Sequence, residues 1–323
     1  MSGPGRRTGA PLADTRALRL RTVALYHGQG RTQQDIAESL GISRTTVMRI
    51  LSEARARGEV QIWIDATPPE LAGLAQEVAS RLDLERVILV PGSGTPEETA
   101  LDVGAALGRF LSEAIADGMT VGVGWGRTLN AALRTFRPEH RPGVRVVSLL
   151  GGMVEAQDLN PIDFSWQMAA RLQGECLPFL APLLVDSAET KRRLIGACGL
   201  DQVIELAGTL DLAVVSCGEV AAEGSSLSRG FVPDADLAAL AAAGAVCDCM
   251  CHFLDNAGRT VAHPIHDRVM SVDLDTVAQA RHTVVASGGA RRAAAIVAAV
   301  RRTRCRTLIT DEAAATAIAA HGA

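Results

Sequence analysis

Three features of the sequence predict an α/β protein whose chain begins with a separate helical domain. Two short amphipathic segments meet at Gly41, the pattern changes after residue 67, and apolar strands then alternate with helices. Alternation of this kind, with short links, is typical of a largely parallel sheet covered on both faces. We therefore predict a trihelical, winged helix-turn-helix domain followed by a doubly wound, largely parallel α/β domain.

The stretch QQDIAESLGISRTTVMRIL, residues 33–51, predicts the helix-turn-helix. Its apolar residues recur at helical spacing, and Gly41 takes the corner because a residue without Cβ adopts a left-handed conformation at little cost. Ser43 is placed to cap the second helix by accepting a backbone N–H near Thr46. The residues predicted to face the shared core are Ile36, Ala37, Leu40, Ile42, Val47 and Ile50.

The outward face of the second helix is rich in arginine and threonine. Arginines bind guanine edges and phosphates, and threonines contact phosphates or thymine methyl groups. An ordinary αα-hairpin with a polar outer face is the alternative, but the corner glycine, the cap and the apolar positions together favour DNA binding. The predicted DNA contacts are Gln33, Ser43, Arg44, Thr45, Thr46 and Arg49.

The elements beside this motif complete the predicted first domain. A helix over Thr15–His27 is expected to pack across the motif, and a strand with inward Val60, Ile62 and Ile64 is expected to form a wing. Thr67-Pro68-Pro69 is a rigid break. We predict a disordered tail over 1–14, the DNA-binding domain over 15–66 and the second domain over 67–323. The inner stripe of the first helix is predicted to be Ala17, Leu18, Leu20, Ala24 and Leu25.

Composition and charge agree with this division. The chain of 323 residues is 48% hydrophobic and 21% charged, as in globular proteins. No apolar run is long enough to span a bilayer, so we predict no membrane partner. The net charge of −4 is uneven, because residues 1–65 hold ten arginines against six acidic residues, which leaves −8 for the remainder. A basic head on an acidic body favours contact between the head and phosphates.

Seven cysteines without an export signal favour a reducing, cytoplasmic location with free thiols. Cys247, Cys249 and Cys251, followed by His252, raise the alternative of a metal site. The period of two is instead typical of a strand with three sulfurs on one buried face, and the usual C-x-x-C spacing is missing. We therefore predict no metal and no cofactor.

The second domain is predicted from short apolar runs and the amphipathic segments between them. A helix over Glu70–Leu82 precedes the first strand, and residues 254–258 resemble a hairpin turn. The predicted strands are Arg86–Val90, Thr120–Val123, Val144–Leu150, Leu177–Leu180, Leu212–Ser216, Val246–Phe253, Thr283–Ala286 and Thr307–Thr310. The predicted helices include Thr99–Ile115, Asp163–Leu172, Leu237–Ala243, Ala290–Arg301 and Ala313–Ala320.

Ligands of open α/β sheets bind beyond the carboxyl ends of the strands, and four segments there are rich in glycine or polar residues. The first, residues 122–130, could direct backbone N–H groups and a helix N-terminus at an anion, with Arg127 and Thr128 adding charge and a hydroxyl. Tight turns also need glycine, so packing is the alternative. Four such segments favour a small, polar, phosphorylated ligand. The other three are Gly151-Gly152, His266-Asp267-Arg268 and Ser287–Arg292.

The chain resembles the SorC family of sugar-binding transcriptional regulators over residues 15–320. The resemblance implies an effector domain similar to sugar-phosphate isomerases and CoA-transferase-like folds. It also implies double-stranded operator DNA and a sugar or phosphorylated sugar as partners, and a homo-oligomer, a dimer or tetramer. The matching stretches are YHGQGRTQQDIAESLGISRTTVMRILSEARARGEV, DGMTVGVGWGRTL, LAPLLVDS, RGFV, GAVCDCMCHFLDNAG, DRV and VVASGGARRAAAIVAAVRRTRCRTLITDEAAA.

The loops and the resemblance together give the predicted effector site, with some departures. Ser148 and Leu150 stand where many relatives have a polar pair, and Arg292 or Arg291 stands where a lysine is common. Met153, Val154 and Glu155 offer no reactive amine, so no Schiff base is expected. The predicted effector-binding residues are Gly124, Trp125, Gly126, Arg127, Thr128, Gly151, Gly152, Asp267, Arg268, Gly288, Gly289, Arg291 and Arg292.

Two other functions fit the residues less well. An isomerase-like enzyme fused to a DNA-binding head would need an acid–base pair, and Asp267, His266 and Glu219 are candidates without a spacing that singles them out. A purely architectural DNA-binding protein would leave the acidic body and its polar loops unexplained. We therefore predict a ligand-responsive transcription regulator and no catalytic residues.

Overall fold

The computed structural model describes residues 12–57, 59–60, 68–92, 94–153, 160–220 and 232–320. The chain divides into two compact units, Met1–Ile64 and Asp65–Ala323, here called the head and the body. The α-helices are α1 (Leu12–Val23), α2 (Gln33–Leu40), α3 (Arg44–Ala56), α4 (Ala72–Leu82), α5 (Pro96–Ala114), α6 (Arg127–Ala132), α7 (Pro161–Leu172), α8 (Ala188–Ala197), α9 (Leu200–Ala207), α10 (Asp234–Ala242), α11 (Leu274–Val277), α12 (Ala293–Thr303) and α13 (Glu312–Ala320).

The described strands fall into two sheets, both in the body. A seven-stranded sheet has the order β1-β10-β9-β5-β2-β3-β4, and a three-stranded sheet has the order β6-β7-β8. The strands are β1 (Arg86–Val90), β2 (Thr120–Val123), β3 (Arg145–Ser148), β4 (Glu175–Leu177), β5 (Leu212–Val215), β6 (Gly218–Glu219), β7 (Cys247–Cys249), β8 (His252–Leu254), β9 (His282–Ala286) and β10 (Thr307–Asp311).

The head is a trihelical unit whose buried residues are largely the predicted ones. Ile36, Ala37, Val47 and Ile50 are at most 5% exposed, and Leu40 and Ile42 pack partly buried against this core. The predicted core of the helix-turn-helix is therefore confirmed.

The predicted inner stripe of the first helix is wrong at most positions, although Leu25 packs partly buried against the core of the head. Leu20 is 42% exposed, whereas Arg19 and Thr22 are buried. Arg19 turns inward because its guanidinium donates to the carboxylates of Glu53 and Glu59, and Thr22 is satisfied by the carbonyl of Leu18. The helix also continues as a π-helical turn over Ala24–Gly28, which rotates the later residues away from an α-helical stripe.

The predicted tail and the predicted wing, at the two ends of the head, lie mostly outside the described residues. Helix α1 already begins at Leu12, inside the segment predicted to be a tail, and residues 1–11 lie outside the described part of the chain. The predicted wing is also outside it, because residues 61–67 are not described.

The large sheet is fully parallel and is covered on both faces, as predicted. In β1, Val87 and Leu89 enter one apolar core while Ile88 and Val90 enter the other. The same alternation holds in β5, which explains why these strands read as continuous apolar runs. Helix α4 packs against β1 and α13. No helix in the described residues is long and apolar enough to cross a membrane.

The segment predicted as one strand over Val246–Phe253 is a β-hairpin. Strands β7 and β8 pair antiparallel, and Met250 and Cys251 form the turn with φ of 55° and 62°. Asp248 stabilises this turn, because its carboxylate accepts the backbone N–H of Cys251 at 3.0 Å. Cys247 and Cys249 therefore lie on one strand as predicted, whereas Cys251 lies in the turn; all three are buried.

Smaller differences concern where elements begin and end. Strand β4 precedes the predicted Leu177–Leu180, and β3 is shorter than the predicted Val144–Leu150. The predicted helix over Ala290–Arg301 begins with a 3₁₀ turn, Ala290–Arg292, before α12. Helices α8 and α9 were not predicted, and α8 has no buried residue.

Candidate functional site

The corner between α2 and α3 has the geometry of a helix-turn-helix. Gly41 adopts φ 63°, the left-handed conformation predicted for it. Ser43 accepts the N–H of Thr46 at 3.1 Å, which confirms the cap. At the start of α2, Thr32 and Asp35 form a reciprocal capping box. Caps at both helix starts fix the direction in which α3 leaves the corner.

The predicted DNA contacts lie on or beside the outward face of α3, but some of these side chains already have partners within the head. Arg44 is exposed, and its Nε lies 3.5 Å from Oε1 of Gln33. The hydroxyls of Ser43 and Thr46 lie 2.8 Å apart and serve the cap. Thr45 is exposed.

Arg49 and a residue that the sequence reasoning missed complete the outward face. The side chain of Arg49 is 70% exposed and lies 3.6 Å from Glu53. Met48 is 52% exposed, an unusual position for a large apolar side chain. The helical period could have identified Met48, since it follows the buried Val47 by about 100° of rotation.

A cavity of about 320 Å³ lies in the body at the carboxyl ends of the parallel strands. The segments that line it follow β1, β2, β9 and β10, and β6 contributes one residue. This is where an open α/β sheet places its ligand. The lining residues are Gly94, Thr95, Pro96, Glu97, Thr99, Arg127, Glu219, Gly288, Gly289, Ala290, Arg291, Arg292, Asp311 and Ala313.

Three arginines and three carboxylates line this cavity. Arg127 pairs with Glu97 at 3.1 Å, and Arg291 lies 3.5 Å from Glu219. Arg292 is half-buried and donates to the carbonyl of Gly288 at 3.2 Å. Burial lowers the pKa of Arg292, and so does the nearby charge of Arg127. The guanidinium nonetheless stays protonated at neutral pH, so two positive charges share this part of the cavity.

Asp311 organises the loop between β9 and α12. Its buried carboxylate accepts the N–H of Gly289 at 2.8 Å and that of Ala314 at 3.2 Å. A Cβ on Gly288 would lie 2.7 Å from Cγ2 of Thr99 and 3.0 Å from Asp311, so this position needs glycine. The amide of Gly289 is consequently already occupied and does not point to a free anion nest.

The remaining residues of the first predicted loop do not line the cavity. The N–H of Gly124 donates to the carbonyl of Val214 and continues the pairing with β5. Trp125 and Thr128 are buried, and Nε1 of Trp125 has no hydrogen-bond partner among the described residues. Gly126 precedes α6 with φ 147°. Only Arg127 of this loop reaches the cavity wall.

Gly151, Gly152, Asp267 and Arg268 form a second group that is also absent from the cavity wall. The N–H of Gly151 donates to Met270, and that of Gly152 donates to Ala181. A Cβ on Gly151 would lie 2.6 Å from the carbonyl oxygen of Ala181, so this glycine has a packing role. Asp267 is exposed, and Arg268 lies 3.7 Å from Asp236.

The sequence reasoning missed the segment after β1 and the end of β10. Thr95, Pro96 and Glu97 begin α5, where Thr95 and Glu98 form a capping box. The sequence Thr-Pro-Glu-Glu after an apolar strand could have predicted this helix start, because it has the pattern of a capping box. Asp311 gave no local signal, because its role depends on the neighbouring strand β9.

Of the side chains suggested for acid–base chemistry, Glu219 lines the cavity, whereas His266 is engaged elsewhere. Nε2 of His266 accepts the N–H of Phe253 at 3.2 Å, and burial lowers the pKa of this imidazole. Burial raises the pKa values of the Cys247, Cys249 and Cys251 thiols well above their usual range. The part of the chain that the structure describes holds no group of three or more His, Cys, Asp or Glu suited to a metal.

The fold and the two sites define a class of protein, a DNA-binding head joined to a ligand-binding α/β body. The family described as "Putative sugar-binding domain" matches residues 68–320, and Sigma-70 region 4 matches residues 16–57. The chain belongs to the SorC family of sugar-binding transcriptional regulators.

Relatives along nearly the whole chain agree. Transcriptional regulator LsrR of Enterobacter sp. (strain 638) is 31% identical over 310 residues, covering 93% of this chain and 92% of that protein. The deoxyribonucleoside regulator of Bacillus subtilis (strain 168) is 28% identical, covering 93% of this chain and 96% of that protein.

A solved structure has the same fold. The full-length sorbitol operon regulator SorC of Klebsiella pneumoniae superposes with a TM-score of 0.71 at 22% identity, covering 95% of this chain and 99% of that one. The two family matches and the relatives along the chain show that the protein is a DNA-binding transcriptional regulator with a sugar-binding domain. The enzyme alternative is wrong, since these relatives are regulators.

Proposed function

We propose that the outward face of α3 reads operator DNA and that a phosphorylated sugar in the body cavity changes the affinity for that DNA. The convergence of Arg127, Arg291 and Arg292 on one cavity carries the proposal for the ligand. Arg127 follows β2 and the other two follow β9, so two separate strand ends deliver positive charge to one place.

The charge arrangement favours a dianionic group over a neutral one. In the described part of the chain, the guanidinium of Arg292 donates to the carbonyl of Gly288, and a phosphate would give both Arg292 and Arg127 a charge-assisted hydrogen bond. Glu97 would then lose Arg127 as its partner and be free to accept hydrogen bonds from sugar hydroxyls. The volume of about 320 Å³ suits a small, polar molecule rather than a large one.

The names of relatives support polyhydroxylated ligands as a class. They include an erythritol catabolism regulatory protein, a sorbitol operon regulator and a deoxyribonucleoside regulator. By analogy, we propose that this chain regulates a carbohydrate catabolic operon, and that it does so in the cytoplasm, where operator DNA lies.

Binding has to favour one arrangement of the protein over another if it is to change DNA affinity. The cavity is bordered by the starts of α5, α6 and α12, so a ligand that draws Arg127 and Arg292 together would act on these helices. A coupling of about 1–3 kcal/mol would change operator affinity about 5- to 150-fold.

One head contacts few bases, so specific binding requires at least two heads on one duplex. We propose a dimer or tetramer that binds an inverted or near-inverted repeat. Light scattering at micromolar concentration is expected to give a mass of at least twice the 33.8 kDa chain. A monomer, with and without DNA, would contradict this part of the proposal.

Calorimetry tests the ligand site. The probes are ribose 5-phosphate, 2-deoxyribose 5-phosphate, sorbitol 6-phosphate and erythritol 4-phosphate, each with its unphosphorylated parent. Arg292→Ala and Arg127→Ala are expected to weaken binding of the phosphorylated probe by about tenfold or more, because each removes a charged hydrogen bond.

The matched control is Arg301→Ala. Arg301 lies on α12, which begins directly after Arg292, and it is exposed and does not line the cavity. The assignment is wrong if a phosphorylated probe binds both cavity variants as well as wild type. Equal affinity for a probe and its unphosphorylated parent would show that the phosphate is not recognised.

A further inference from the structure

A cleft of about 460 Å³ lies in the head between α1 and α3. On α3 it is bordered by residues at spacings of three and four, so it follows the flank of this helix that faces α1. The cleft is separate from the corner at Gly41 and extends to the C-terminal end of α3. Its lining residues are Arg16, Leu18, Arg19, Thr46, Arg49, Ile50, Glu53 and Arg57.

Arginines outnumber carboxylates in this cleft. Glu53 is shared by three of them, at 2.7 Å from Arg57, 3.4 Å from Arg19 and 3.6 Å from Arg49. Arg19 is additionally bound to Glu59 and has a side chain only 8% exposed. Its charge is therefore used inside the head and is not available to a ligand.

The other arginines remain available at the surface. The side chains of Arg49 and Arg57 are 70% and 56% exposed, and each keeps N–H donors free because Glu53 is shared with Arg19. Arg16 is also exposed, and its charge helps to lower the pKa of Glu59. Three exposed guanidinium groups thus line the cleft, and two of them, those of Arg49 and Arg57, share Glu53.

We propose that this cleft binds a phosphate of the DNA backbone beside the bases that the start of α3 contacts. The proposal rests on the DNA-binding function of the head and adds a site that the outward face alone does not provide. A phosphodiester fits because arginine donors converge on it, and because Thr46 and Arg49 border both the cleft and the outward face. Arg49 is then a backbone contact and not a base contact.

Glu53 has a positioning role in this arrangement. It holds Arg49 and Arg57 at the cleft while the DNA is absent, and its own charge opposes the incoming phosphate. The arginines must therefore exchange a carboxylate for a phosphodiester oxygen. Removing the charge of Glu53 is expected to strengthen binding to any DNA sequence.

Fluorescence anisotropy of the full-length protein tests the cleft. One probe is a labelled 30-base-pair duplex of random sequence, and the other is a duplex selected from a random library by the wild-type protein. Affinities are measured from 0.05 to 0.3 M salt. The variants are Arg16→Ala and Arg57→Ala, and the control is Arg55→Ala, an exposed arginine of the same helix outside the cleft.

Arg16→Ala and Arg57→Ala are each expected to lower the slope of log affinity against log salt by about 1. Each is expected to weaken both duplexes equally, by about tenfold at 0.1 M salt. Arg55→Ala is expected to change neither quantity, and Glu53→Gln to tighten both duplexes. All four residues are at least partly exposed, and circular dichroism checks that the variants fold.

Three outcomes would overturn the proposal. If the wild type binds the selected duplex and the cleft variants keep its salt slope, the cleft does not contact DNA. If Arg57→Ala weakens only the selected duplex, Arg57 contacts a base instead of a phosphate. If the wild type enriches no duplex from the library and does not bind the random duplex, the DNA-binding function itself is wrong, and the cleft proposal with it.

Discussion

In the head, exposed arginines outnumber the carboxylates beside them, whereas in the body two of the three cavity arginines are paired with their own carboxylate. Arg49 and Arg57 share Glu53, while Arg127 has Glu97 and Arg291 has Glu219. A surplus of positive charge suits a polyanion of any sequence. Paired charges suit a ligand that can replace one specific carboxylate. The body can therefore select among small ligands, whereas the arginine-rich cleft of the head can bind DNA of any sequence.

The two units also differ in what holds them together. The core of the head consists of a few aliphatic side chains, helped by caps and by the Arg19–Glu59 ion pair. The body has two extensive apolar cores, one on each face of the large sheet. The head should therefore respond to the loss of single polar contacts, and the body to the loss of apolar volume.

Leu107→Ala is expected to have the largest effect, and only on the body. Leu107 is fully buried in one core, so its truncation should lower the free energy of unfolding by about 2–5 kcal/mol. Urea unfolding followed by tryptophan fluorescence measures this. Leu101→Ala on the same helix is the control, because Leu101 is 37% exposed. The single tyrosine, Tyr26, packs in the head, so ¹⁹F NMR of fluorotyrosine should show the head unchanged.

Mild acid should destabilise the body before the head. Burial lowers the pKa of His252 from 6.5 to about 4. The unfolded state therefore binds the proton first, and stability falls by up to about 3 kcal/mol as pH drops from 6.5 to 4. Urea midpoints at several pH values measure this. His252→Gln should reduce this dependence without abolishing it, because burial also lowers the pKa of His266. The exposed His140 provides the control substitution.

In the head, the corresponding group titrates at lower pH. Arg19 lowers the pKa of Glu59 below its ordinary 4.5. The stabilisation from this pair is thus complete above that value and is lost as pH falls further. If the Tyr26 signal reports unfolding of the head near pH 6, the Arg19–Glu59 pair is not its acid-sensitive contact.

Arg44→Ala is expected to weaken binding to the selected duplex by about 1–3 kcal/mol while leaving random DNA nearly unaffected. The reason is that Arg44 lies on the exposed start of α3, outside the arginine-rich cleft. Anisotropy with the two duplexes measures the difference. An equal loss on both duplexes would make Arg44 another contact to the DNA backbone. It would then weaken the contrast between base contacts at the start of α3 and backbone contacts in the cleft.

The smallest effects come from a matched pair of helix caps. Ser43 accepts the N–H of Thr46 at 3.1 Å, and Ser187 accepts that of Thr190 at 3.2 Å. Replacing either serine by alanine should cost about 1 kcal/mol. Hydrogen exchange by mass spectrometry should show faster opening throughout the head for Ser43→Ala, but only near α8 for Ser187→Ala. If both substitutions speed exchange only near the altered helix, the head tolerates the loss of one polar contact as well as the body does.

Several features were determined by the sequence alone because their causes are local. Gly41, Ser43 and the apolar positions of α2 and α3 act within a few residues of one another, and the structure has them as predicted. The apolar strands are readable for the same reason, since both faces of each strand are buried. Arg127 and Arg292 each follow a strand and a glycine corner, so the sequence alone placed them beyond strand ends, where they line the cavity.

Other features were decided only by the tertiary structure. The strand order β1-β10-β9-β5-β2-β3-β4 brings the start of α5 and Asp311 to the cavity, while Gly151 and Arg268 are held elsewhere. Arg19 turns inward only because Glu53 and Glu59 lie opposite it. Contacts between residues far apart in the chain depend on which elements become neighbours, and no local pattern of residues encodes that choice.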